Sequence, residues 1–132
     1  MKETRQPIRT FARGRLTNCL TVVSKTSAKA INTEKGAHEF RVALRRLENC
    51  VQLFGPMFSK PGTKRVIKQL DDVRKRMGEI RDCDVYLRTA PALIGSINSD
   101  VLRRLAARRD EQVQKLDWKP KTAAKWQGLL EI

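Results

Sequence analysis

The sequence has few aromatic residues and few of the side chains that build metal sites. Phe, Trp and Tyr make up 5% of it, and its one histidine and three cysteines include no CxxC pair. An odd number of cysteines without paired spacing argues against a disulfide framework, and so few Cys and His residues argue against structural zinc. These absences exclude disulfide-rich scaffolds and zinc modules, and they predict a reducing, cytoplasmic location.

Long apolar runs and alternating β-branched residues are also missing. No apolar run approaches the ~20 residues that a membrane-spanning helix needs, and the N-terminus lacks the apolar core of a signal peptide. No segment shows the alternation that is typical of strands. Because Leu, Ala, Lys, Arg and Glu are plentiful, the 132 residues predict one all-α domain around one core, without a membrane partner.

Positive charge is what the sequence has in excess. Its 28 Lys and Arg residues against 14 Asp and Glu residues give a formal net charge of +14. The excess is spread along the chain and is not confined to a tail, so it belongs to the folded domain. Such a balance predicts attraction to polyanions, with nucleic acid and polyphosphate among the candidates, and binding that weakens as salt is added.

The spacing of apolar residues predicts an antiparallel bundle of about four main helices with short extra helical segments. The main helices are predicted over residues 7–30, from 34 or 35 to 53, from a cap at Thr63 to 77, and from 99 or 100 to about 116. A turn at Gly78, a short helix through Leu87, a loop from Pro91 to Ser99 and an amphipathic segment after Pro120 complete the prediction. Cys19 and Cys50 lie on apolar faces and are predicted to be buried thiols.

The second predicted helix has two distinct faces. Its apolar stripe comprises Phe40, Leu44, Leu47, Val51, Phe54 and, beyond the helix, Phe58. The opposite side carries His38, Arg41 and Arg45, with Arg46 on its edge. Arg41 and Arg45 are one turn apart, about 6 Å along the axis, so a ligand with repeating oxyanions could bridge them. For this helix alone, a merely solvated basic face is the alternative.

Further basic stripes are predicted on the other helices. The third helix carries Lys64, Lys68 and Lys75 on one side, and two such helices side by side could form a basic groove. More distant candidates follow at helical spacing on the first and fourth helices: Arg9, Arg13, Arg104 and Arg108. Arg103 and Arg109 are predicted to be peripheral. Trp118 and Trp126 are interpreted as packing anchors, because no aromatic residue lies within the central basic stripes.

Two carboxylates follow the third helix, in the segment Arg81-Asp82-Cys83-Asp84. Carboxylates beside arginines can hold guanidinium groups in fixed rotamers and so organise a site. Asp82 or Asp84 could instead cap a short helix. Ligation of Mg²⁺ or Ca²⁺ is ranked below ion pairing, because no further carboxylate lies nearby in the sequence.

The segments HEFRVALRRLENCVQLF and KQLDDVRKRMGEIRDCDVYL resemble, in order and spacing, the two motifs of the conserved-histidine α-helical domain, the CHAD family. The resemblance implies an all-helical domain with a basic central surface that binds inorganic polyphosphate, with no cofactor and no reaction of its own. It also suggests association with polyphosphate granules. The motif residues carried over are His38, Arg41, Arg45, Arg46, Arg81, Asp82 and Asp84, with Lys68, Arg74 and Lys75 on the neighbouring helix.

The length departs from the family pattern. Members typically contain two helical bundles related by a pseudo-two-fold axis, whereas 132 residues have room for one. A minimal single-bundle relative, a fragment and a protomer that completes its site in a homodimer are the three alternatives. Met77 before the glycine and Cys83 within the second motif are smaller departures.

Three functions are compatible with these features. The first is a non-catalytic polyphosphate-binding module, in which His38 would donate a hydrogen bond to phosphate. The second is a nucleic-acid-binding helical protein, against which stands the lack of aromatic stacking positions. The third is an accessory component or phosphohydrolase acting on polyphosphate, for which Asp82 and Asp84 with His38 supply few catalytic groups.

Overall fold

The computed structural model describes residues 2–94, 99–116 and 120–130, and this part of the chain is all-α, as predicted. It contains five α-helices and one 3₁₀ turn. The helices are α1 (Lys2–Ser27), α2 (Glu34–Leu53), α3 (Lys60–Ile94), α4 (Ser99–Lys115) and α5 (Pro120–Leu130), and the 3₁₀ turn is Gly55–Met57.

Thr33 and Gly36 determine where α2 begins. The Thr33 hydroxyl accepts a hydrogen bond of 2.9 Å from the Gly36 backbone N–H and so caps the helix. Gly36 lies so close to the preceding turn that a Cβ would stand 2.0 Å from the Lys29 carbonyl oxygen. The bounds predicted for this helix are confirmed.

The prediction for the third helix was wrong at both ends. α3 begins at Lys60, with Pro61 in its first turn, where the missing N–H is not needed. Ser59, rather than Thr63, supplies the capping oxygen, accepting from the Gly62 N–H at 3.3 Å. The helix then continues through Gly78 and Pro91 to Ile94.

The continuity of α3 corrects the predicted turn, the short helix and the start of the predicted loop. A glycine inside a helix costs only about 1 kcal/mol, and the packing of α3 against its neighbours outweighs that cost. Asp82 and Asp84 therefore lie in the helix interior and do not cap a helix. Residues 95–98 of the predicted loop lie outside the described residues.

The remaining helices differ less from their predictions. α1 begins one turn before Pro7, contains that proline, and ends at Ser27, before the predicted residue 30. α4 has the predicted bounds to within one residue. The amphipathic segment predicted after Pro120 is the helix α5. Trp126 is buried, as expected of a packing anchor, whereas Trp118 lies outside the described residues.

The core lies between α1, α2, α3 and α5. In the predicted apolar stripe, Phe40, Leu44, Leu47 and Val51 are buried, whereas Phe54 and Phe58 are half-buried against the core. The largest partners of the stripe are the fully buried side chains Leu16, Val23, Val66, Leu70, Met77, Ile80, Trp126 and Leu130. α4 packs along α3 at the edge of this core, and its apolar side chains are half-buried, as Val113 is, or exposed, as Val101 is. α3 is therefore the central helix, with α2, α4 and α5 around it.

Candidate functional site

Two ion pairs align α2 with α3. Arg88 of α3 pairs with Glu34 of α2 at 3.3 Å, and Arg74 pairs with Glu48. Moving fourteen residues forward along α2, from 34 to 48, moves the partner fourteen residues back along α3, from 88 to 74. The helices are therefore antiparallel in constant register.

This register places Arg41 level with Arg81. Each is seven residues from both ion pairs, which corresponds to about two helical turns. The two arginines thus meet at the middle of the helix pair, with one ion pair about two turns away on each side. The first and second sequence motifs are brought together here.

A cavity of about 320 Å³ lies between the two helices at this level, and we call it the α2–α3 cavity. Its lining side chains come from both helices: His38, Arg41, Val42, Arg45, Asp71, Arg74, Lys75 and Arg81. A groove between two basic helix faces is therefore present, but the face of α3 differs from the predicted stripe. Arg74, Lys75 and Arg81 line the cavity, whereas Lys68 lines a different one. Six of the predicted binding residues are brought together in the α2–α3 cavity.

Arg41 is repelled by the other arginines of this cavity. It is half-buried, and its pKa is lowered by burial and then by the positive charges of Arg81, Arg45 and Arg74, with Asp82 opposing them. Arginine stays protonated at neutral pH, so the repulsion is not relieved by loss of a proton. An anion bound between these side chains would relieve it.

The cations of the cavity fall into two groups. Arg74 and Lys75 already have carboxylate partners, Glu48 and, at 3.3 Å, Asp71. Arg41, Arg45 and Arg81 have none within 4 Å among the residues that the structure describes. Three guanidinium groups are therefore left to bind a ligand, while Arg74 holds the two helices together.

Gly78 is a feature that the sequence prediction missed. It lies on the same face of α3 as Arg74 and Arg81, four and three residues from them. Among the described residues, nothing beyond its own helix lies within 4 Å of the point that a Cβ would occupy. Its lack of a side chain keeps the space between the two arginines open. The sequence did carry a signal for this feature: a glycine that lies between two arginines at helical spacing, inside an otherwise regular helical pattern.

The two carboxylates of the second motif have different surroundings. Asp82 is exposed, and its charge acts on Arg41. Asp84 pairs with Arg109 of α4, which also donates to the Ile31 carbonyl oxygen at 2.7 Å. The peripheral position predicted for Arg109 was wrong, because this half-buried side chain ties α4 to α3 and to the turn after α1. Asp84 therefore stabilises the packing of α4 against α3 and does not orient a guanidinium group of the α2–α3 cavity.

His38 lies where three cavities meet. Besides the α2–α3 cavity, it lines one with Glu34 and Asp84 and another with Val22 on α1. Its side chain is exposed, so it is accessible to a ligand in the α2–α3 cavity. Within the described part of the chain, no three His, Cys, Asp or Glu side chains are close enough to hold a metal ion.

Six predicted residues lie outside the α2–α3 cavity. Arg46 lines the cavity that faces α1, and Lys68 lines a cavity between α3 and α5. Arg108 pairs with Glu79 at 3.4 Å. The others are exposed on α1 and α4: Arg9, Arg13 and Arg104.

All three cysteines are buried free thiols. Burial and the neighbouring Cys19 raise the pKa of Cys50 to about 11, and burial raises the pKa of Cys83. Thiols with raised pKa values stay protonated at neutral pH and are poor nucleophiles. The prediction of buried thiols at Cys19 and Cys50 is confirmed.

The fold and the site define an all-α bundle whose central helix pair encloses a cationic cavity. The family model of the CHAD domain matches residues 4–131, nearly the whole chain, and the protein belongs to the CHAD family. The resemblance of its two motifs to that family is thereby confirmed. Neither the search of curated proteins nor that of solved structures found a match. No helix in the described ranges is long and apolar enough to cross a bilayer.

Proposed function

We propose that this protein binds inorganic polyphosphate, or a similar linear polyanion, in the α2–α3 cavity and does not transform it. Family membership supports the proposal, because CHAD domains are linked to polyphosphate. The observation that carries it is the convergence of Arg41, Arg45 and Arg81, three guanidinium groups without carboxylate partners in the described chain, on one cavity.

The chemistry of the two partners is complementary. A guanidinium group can donate two parallel hydrogen bonds to a phosphate, whereas a lysine ammonium acts as a mobile point charge. Arg41 and Arg45 repeat at about 6 Å along α2, and Arg81 faces them from α3, so a bound phosphate chain can contact cations from both helices. Counterions released from the ligand add to the affinity and make it salt-dependent.

The lining of the cavity favours polyphosphate over nucleic acid. Among the residues that the structure describes, no Phe, Tyr or Trp lines this cavity, and single-stranded nucleic acid gains much of its affinity from bases stacked on such side chains. A bare phosphate chain needs only the cations. The nucleic-acid and phosphohydrolase alternatives become outcomes of the experiment that follows.

The proposal is tested by titrating the protein with long-chain polyphosphate over a range of salt concentrations. We expect tight binding at low salt that falls steeply as salt is added. Polyphosphate should displace single-stranded and duplex nucleic acid at equal phosphate concentration. Preference for nucleic acid would instead support the second alternative. Release of phosphate with Mg²⁺ present, lost in Asp82→Asn, would support a phosphohydrolase.

The charge of Asp71 is predicted to weaken polyphosphate binding, whereas the cations of the cavity strengthen it. The exposed Asp71 carboxylate lines the α2–α3 cavity beside Lys75, where it repels a bound phosphate. Asp71→Asn removes that repulsion and is expected to tighten polyphosphate binding about two- to fivefold at low salt, the scale of an exposed charge interaction. Calorimetric titration measures the change.

Asp110→Asn is the matched control, because it makes the same charge change on an exposed position of α4. An equal gain in both variants would mean that only net charge matters. No gain in Asp71→Asn would mean that the ligand does not pass Asp71.

A further inference from the structure

A second basic cavity, of about 790 Å³, lies next to the first along α3, between α3 and α5. We call it the α3–α5 cavity. Its cationic lining includes Arg65, Lys68 and Lys125. Asp71 and Lys75 line this cavity as well as the α2–α3 cavity. The two cavities are therefore neighbours that share one turn of α3.

The charges of the α3–α5 cavity leave a positive excess. Its two carboxylates are already paired, Asp71 with Lys75 and Asp72 with Arg76, both at 3.3 Å. The remaining cations, Arg65, Lys68 and Lys125, have no carboxylate within 4 Å in the ranges that the structure describes. The cavity thus offers three cations that no part of the described protein neutralises.

The side-chain amide of Gln69 adds an uncharged hydrogen-bond donor to this lining. The buried Trp126 indole donates a hydrogen bond of 2.6 Å to the Gln69 side-chain oxygen. Because an indole can only donate, the amide oxygen of Gln69 must face it, and the amide NH₂ is left to donate elsewhere. Both residues line the α3–α5 cavity. The arrangement suits an anionic ligand and fixes α5 against α3.

We infer that a polyphosphate chain continues from the α2–α3 cavity past Lys75 into the α3–α5 cavity, so that the domain binds long chains more tightly than short ones. Lys68 and Lys75 are seven residues apart on α3, about 10 Å along one face, and they supply cations along this path. A ligand of three phosphates occupies the α2–α3 cavity alone. This inference rests on the proposed function and adds a preference for chain length.

The test compares long-chain polyphosphate with tripolyphosphate in the double variant Lys68→Gln with Lys125→Gln. Glutamine keeps much of the side-chain length and removes only the charge. We expect the affinity for the long chain to fall about tenfold at low salt, with a shallower salt dependence because two phosphate contacts are lost. The affinity for tripolyphosphate should stay unchanged.

Lys25→Gln with Lys35→Gln is the matched control, since both lysines are exposed, lie on other helices and line neither cavity. Unchanged melting temperatures establish that all variants are folded. An equal loss in the control pair, a loss that includes tripolyphosphate, or no loss at all would each overturn the inference. Failure of the unmodified protein to bind either ligand would overturn the proposed function itself.

Discussion

Replacing Arg41 and Arg45 by alanine is expected to weaken polyphosphate binding about a hundredfold at low salt, because each loses a charge-assisted contact to phosphate. Both guanidinium groups line the α2–α3 cavity without a carboxylate partner among the described residues. The fold should not suffer, since removing Arg41 relieves repulsion from Arg81 and Arg74. We therefore expect a melting temperature equal to or above that of the unmodified protein. Titration with polyphosphate and thermal melting measure the two quantities separately.

Arg15→Ala with Arg103→Ala is the matched control for this double variant. Both side chains are exposed, on α1 and α4, and the net charge falls by the same amount. Arg109 is unsuitable as a control because its bonds to Asp84 and the Ile31 carbonyl hold the bundle together. Equal losses from both pairs would mean diffuse attraction without a defined site.

Gly62→Ala is expected to destabilise the fold by about 2–3 kcal/mol, as overpacking in a filled contact does. A Cβ at Gly62 would stand 1.7 Å from the Leu129 carbonyl oxygen and 2.6 Å from its carbon. These are backbone atoms, so α5 would have to move away from the start of α3. That movement would also break the hydrogen bond of 2.8 Å from the Ser59 N–H to the Leu130 carbonyl. Denaturant unfolding measures the loss.

Gly78→Ala, the same substitution in the same helix, is the control. Its effect on the free energy of unfolding should have the opposite sign. Because a Cβ there meets nothing within 4 Å, alanine should stabilise the helix by about 0.5–1 kcal/mol through its lower conformational entropy. A stable Gly62→Ala protein would show that α5 is not packed against α3 as described. A destabilised Gly78→Ala protein would show that the space between Arg74 and Arg81 is filled.

Much of α2 could be predicted from the sequence because its signals are local. Thr33 and Gly36 mark its start, and the apolar residues from Phe40 to Val51 recur at the helical period. Once the apolar face is assigned, helix geometry alone places His38, Arg41 and Arg45 on the opposite face. The structure confirms the buried stripe and places the polar face along a cavity.

The interior of α3 could not be predicted in the same way. Gly78 breaks the local pattern, yet its cost of about 1 kcal/mol is small beside the packing of the buried Met77 and Ile80 on either side of it. The pairing of Asp84 with Arg109 was equally inaccessible. It joins positions 25 residues apart and depends on how α4 packs along α3.

Helical periodicity and charge counts therefore establish an all-α, strongly basic domain with two cationic helix faces, because both properties depend on neighbours within a turn or two. Which cations converge, and which are already neutralised by a carboxylate, depends on the antiparallel register of α2 against α3. That register is set by ion pairs and apolar contacts between residues distant in the chain. The two motifs already named Arg41, Arg45 and Arg81 among ten candidate residues. Only the tertiary structure shows that these three line one cavity and have no carboxylate partner among the described residues.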